Sequence, residues 1–110
     1  MGESLEIACR LTSPDLARRL DELRSGLLSR VLAVDWLPEG AKFDLPHTDE
    51  TANDLLDFVR YERQCCPFLD FTVALPAAGT IAQLTLTSSA PGGAQFVRQT
   101  FGPLLPEGPS

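Results

Sequence analysis

The chain has 110 residues, 44% of them hydrophobic and 22% charged, with nine Lys and Arg set against fifteen Asp and Glu for a formal charge of −6. That size and balance fit one globular domain that can bury a core without disulfide staples, and they exclude a disordered polyelectrolyte. They also oppose binding to nucleic acid or to an anionic membrane, because counterion release needs a concentrated basic surface and the basic residues here are scattered.

Taken in order, Leu5, Ile7, Cys9 and Leu11 alternate with Glu6, Ala8, Arg10 and Thr12, the period of a half-buried strand, which points Cys9 inward. Ser13-Pro14 supplies an N-cap and a first-turn proline. Leu16, Leu20, Leu23, Leu27 and Val31 follow at helical spacing, so the first helix is expected to run through Gly26 and end near Val31 to Ala33. Arg18, Arg19 and Arg24 are interleaved with Asp15, Asp21 and Glu22 and read as the solvated face of that helix. Val34–Leu37 and Ala41–Leu45 flank Pro38-Glu39-Gly40, a hairpin signal.

Thr48 or Asp49 caps the next helix, which carries Asp49 and Glu50 in its first turn and runs to Gln64 or Cys65. Leu69, Phe71, Val73 and Leu75 then alternate, as do Ala82, Leu84 and Leu86 after the turn Pro76-Ala77-Ala78-Gly79, which predicts a second antiparallel hairpin. Pro91-Gly92-Gly93 opens a last helix with Phe96, Val97, Thr100 and Phe101 on its inner stripe, ended by Gly102-Pro103. The order strand, helix, hairpin, helix, hairpin, helix predicts an α+β two-layer sandwich: a mostly antiparallel sheet with three helices on one face. Residues 1–103 form the expected single domain and 104–110 a flexible tail.

Function concentrates in Tyr61-Glu62-Arg63-Gln64-Cys65-Cys66-Pro67-Phe68, where an amphipathic pattern meets two adjacent thiols and a proline. Leu55, Val59, Glu62 and Cys66 share one helical stripe, so Glu62 lies on the buried side, where a carboxylate is costly unless it is paired or has a use. Pro67 cannot continue a helix and places the thiols at its end. A bridge between neighbouring cysteines would be strained, since their Cα atoms are about 3.8 Å apart and ordinary disulfides span about 4.4 to 6.8 Å. An odd count of three cysteines also argues against a disulfide framework.

Thiolates select soft ions such as Cu(I), zinc and the thiophilic heavy metals. Cys65 and Cys66 are the candidate primary ligands, Cys9 a third sulfur, and Glu62 or His47 an additional donor. The Cys-x-x-Cys spacing of structural zinc sites is absent. Against this stand plainer readings. Cysteine is often a small core hydrophobe, Glu62 has Arg60, Arg63 or a strand arginine to pair with, and His47 follows Pro46 in a polar turn. A thiol enzyme is a further alternative, weakened because a helix C-terminus carries partial negative charge and disfavours thiolate. The N-terminus lacks the basic start and apolar run of a secretory signal, and no apolar run approaches bilayer length. A cytoplasmic protein with reduced thiols and no membrane partner is therefore expected.

The stretch Glu62-Arg63-Gln64-Cys65-Cys66-Pro67-Phe68-Leu69 resembles a group of small bacterial proteins that share a Glu-Arg-x-Cys-Cys-Pro-Phe core. The likeness extends to Leu37-Pro38-Glu39-Gly40 and Phe43 upstream and to Phe71, Val73, Leu75 and Gly93-Ala94 downstream. Members are frequently encoded near mercury or arsenic resistance functions, and the vicinal pair is similar to the Cys-Cys pairs of mercury transport proteins. The resemblance implies thiol-based handling of a soft metal or metalloid at Cys65 and Cys66, with Glu62 as the accompanying carboxylate. It ties no role to Cys9 or His47. The rival reading is a metal-free module for binding another protein, with structural cysteines.

Overall fold

A computed structural model describes residues 13–106. Its elements are α1 (Ser13–Ser25), a 3-10 turn (Leu27–Arg30), β1 (Ala33–Leu37), β2 (Gly40–Pro46), α2 (Asp49–Cys65), β3 (Asp70–Ala74), β4 (Ile81–Thr87), α3 (Gly93–Phe101) and a second 3-10 turn (Gly102–Leu104). This is the α+β architecture the periodicity predicts. The expected strand Leu5–Leu11, and Cys9 with it, lies outside the described residues.

The four described strands form one antiparallel sheet in the order β1-β2-β4-β3. Two hairpins are thus joined along β2 and β4, with Phe43 opposite Leu84 and Ala41 opposite Leu86. Alternation decides the faces: Ala41, Phe43, Leu45, Ala82, Leu84 and Leu86 are fully buried, while Lys42, Asp44, Gln83 and Thr85 turn the other way. On that second face Gln83 Nε2 donates to Asp44 Oδ1 at 3.1 Å across the β2–β4 pair. Phe58 of α2 meets Phe71 of β3 and Phe101 of α3 edge-on, with ring centroids 6.2 and 6.0 Å apart, so the core is closed by aromatic contacts between both helices and the sheet.

The first helix is shorter than its leucine spacing suggests. It stops at Ser25, and Leu27 and Leu28 are both buried in the 3-10 turn that follows. The break is at Gly26, whose φ −108° and ψ −109° leave helical geometry, and the short turn that follows sets both leucines into the core. At the other end, Leu104 is 3% exposed, so core packing runs one residue past the expected boundary at Pro103. No helix among the described residues is long and apolar enough to cross a membrane.

Candidate functional site

The site is delivered by α2. Thr48 caps its start, its side chain accepting from the Thr51 N–H at 3.1 Å, and Asp49 and Glu50 sit in the first turn where they favour the positive end of the helix dipole. Thr51, Leu55, Phe58, Glu62 and Cys65 form the buried stripe. Phe58 rather than Val59 provides its central residue. Spacing allows either, and the ring is the one that fills the space between β3 and α3.

The helix ends where Pro67 requires. Cys66 leaves helical geometry at φ −125° and ψ 72°, while its N–H still donates to the Glu62 carbonyl at 2.7 Å. The turn beyond is fixed from two sides. The Leu69 N–H donates to the Cys66 carbonyl at 3.1 Å, and the buried Ser88 hydroxyl, just past β4, donates to the Phe68 carbonyl at 2.8 Å. Ser88 then accepts from the Ala90 N–H at 3.1 Å, tying the thiol turn to the approach of α3.

Cys65 and Cys66 are thiols, 7% and 1% exposed, and are not bridged to one another. Each stands one helical turn beyond a polar partner. Cys66 Sγ lies 4.0 Å from Glu62 Oε1, the outer limit for a thiol donating to a carboxylate. Tyr61, four residues before Cys65 and 39% exposed, has a hydroxyl whose pKa lies above the ordinary 10.0, raised by desolvation first and by the neighbouring Cys65 next. The two rungs are joined at their base by Arg19 of α1. Its Nε donates to Glu62 Oε2 at 2.8 Å, and its guanidinium carbon sits 4.2 Å from the Tyr61 ring centroid.

Glu62 is therefore buried, as its stripe position predicts, but its partner is neither Arg60 nor Arg63. Arg60 pairs with Asp57 on the exposed face, and the Arg19 side chain is only 18% exposed rather than on a solvated face. The course of α1 and of the 3-10 turn after it explains the difference: Arg19 of α1 faces Glu62 near one end of α2, and Arg30 of the turn meets Glu50 at 3.1 Å and Asp54 at 2.8 Å near the other. Burial pushes the Glu62 carboxyl above its usual 4.5, with Arg19 pulling it partly back. A raised folded-state pKa means the fold binds the proton more tightly than the unfolded chain. This contribution to stability is full below the ordinary glutamate range and is lost as pH rises through the raised value. Glu62→Gln keeps an acceptor for Arg19 and is expected to remove this slope: unfolding midpoints should match wild type near pH 4 and equal or exceed it at pH 7.

His47 is not brought to the thiols. It precedes α2, donating its N–H to the Thr80 carbonyl at 2.9 Å, and the 17-residue helix, about 25 Å long, separates it from Cys65. Among the described residues no group of three or more His, Cys, Asp or Glu is clustered to hold an ion. Sequence reasoning missed Arg19, Tyr61 and Ser88. Tyr61 was within reach of an i, i+4 count from Cys65; nothing local marks Arg19, 43 positions from Glu62, or Ser88, 20 from Phe68. Compared with family models, with curated proteins and with solved structures, the chain matches none.

Proposed function

We propose that the protein binds or relays a soft metal or metalloid ion through Cys65 and Cys66, in a reducing, cytoplasmic setting. The observation that carries the reading is the placement of the Cys66 thiol 4.0 Å from a carboxylate that is itself buried and held from its other oxygen by Arg19. A thiol binds an ion as thiolate, so its proton must leave, and Glu62 Oε1 is an acceptor already in place, or a further ligand once the proton has gone. The helix end adds to this. Its partial negative charge disfavours a bare thiolate, as a nucleophilic enzyme would need, yet favours a bound cation. Cys9, outside the described residues, is the candidate third sulfur.

The burial of both sulfurs favours a second reading, a metal-free interaction module in which the pair packs the end of α2. One titration separates the two. The reduced protein is expected to take up Hg(II), As(III), Cu(I) or Zn(II) stoichiometrically, and a Cys65→Ser, Cys66→Ser double variant to lose that uptake while remaining folded. Uptake that is absent in wild type, or unchanged in the double variant, would leave the packing reading in its place.

A further inference from the structure

Beside its buried stripe, α2 carries a second one. Asp49, Ala52, Leu56, Val59 and Arg63 recur at alternating three- and four-residue steps, the heptad spacing of a helix that meets another helix. Asp49, Leu56 and Arg63 of this stripe are exposed, while Ala52 and Val59 are half-buried and Val59 leans against the core. Leu56 is 50% exposed, and Leu56, Val59, Arg60 and Arg63 line a shallow groove with Val73 of β3. Its charges are arranged end to end: acid at Asp49, apolar side chains in the middle, a base at Arg63. Among the described residues neither Asp49 nor Arg63 has an ion-pair partner. The helix dipole accounts for an acid at the start and a base at the end. It does not account for an exposed leucine midway between them on the same stripe.

The centre and the two charged ends of this row are complementary to themselves when inverted. Asp49 and Arg63 are each seven residues from Leu56, so turning a second helix about Leu56 sets Leu56 against Leu56, Asn53 against Val59 and Asp49 against Arg63, at both ends. We propose that this face of α2 docks a second copy of the chain, the two helices packing antiparallel about Leu56. The proposal is independent of what the thiols do, because the stripe lies on the side of α2 away from the row containing Glu62 and Cys65.

Sedimentation velocity on the reduced protein across the micromolar range tests it. The wild type is expected to dimerise, and Leu56→Glu, which places like charges on the symmetry axis, to raise the dissociation constant at least about tenfold. Asp49→Arg or Arg63→Glu alone should weaken the dimer a few-fold by setting like charges opposite each other, and the two together should restore it. Far-UV circular dichroism checks that each variant is folded. A wild type that stays monomeric overturns the proposal, as does a dimer indifferent to Leu56→Glu. Failure of the paired charge reversals to restore association overturns the antiparallel arrangement.

Discussion

Arg19→Ala is expected to lower the unfolding free energy by about 3 to 5 kcal/mol, the cost of leaving one member of a buried ion pair without the other. Glu62 is 4% exposed, and its Oε2 accepts from Arg19 Nε at 2.8 Å, so little water is available to take over the guanidinium's role. The stacking of Arg19 on Tyr61 is lost in the same step. Urea unfolding at neutral pH measures the effect. An Arg19→Met, Glu62→Leu double variant should recover most of the loss, because replacing both charges with apolar groups removes the desolvation cost along with the attraction. A drop below about 1 kcal/mol for Arg19→Ala, the range of solvent-exposed pairs, would mean that the carboxylate is wet and would take the buried acid away from the thiol site.

Gly40→Ala should be at least as damaging. A Cβ at Gly40 would lie 1.8 Å from the Leu86 carbonyl oxygen, 2.8 Å from its carbon and 2.9 Å from Thr87 Cα. All three atoms are backbone of β4, so no side-chain rotation can relieve the clash and the β2–β4 pair must part. A loss above about 4 kcal/mol, or failure to accumulate as a folded protein, is the expected outcome in thermal unfolding. Near-wild-type stability would instead show that Gly40 does not sit opposite Thr87.

These two positions also mark what could be learned from the chain alone. Spacing marked Pro38-Glu39-Gly40 as the hairpin turn; the structure shortens the turn to Pro38-Glu39 and makes Gly40 the first residue of β2, paired with Leu37. Its close approach to β4 was not readable, since the pairing of β2 with β4 joins segments separated by α2 and β3. The same limit applies to the site. Spacing along α2 put Glu62 on the buried side, and Pro67 put the thiols at the helix end. Choosing Arg19 over Arg60 or Arg63 required knowing how α1 lies on α2. The misplaced end of the first helix, at Gly26, arose because Leu23 and Leu27 keep helical spacing across a residue whose Cβ, were it present, would sit 2.9 Å from the Glu22 carbonyl oxygen.

The order in which the sheet is built bears on when the sulfurs become covered. β1–β2 and β3–β4 are hairpins that close locally, whereas β2–β4 joins distant segments and is the slower contact to form. Ser88, which anchors the Phe68 carbonyl, follows β4 immediately and shares its fate. A nascent chain that has made α2 and both hairpins but has not zipped them together still shows its cysteines to the surroundings. On this topology the cysteines are expected to stay reachable until that long-range closure, rather than only until the helix that carries them has formed.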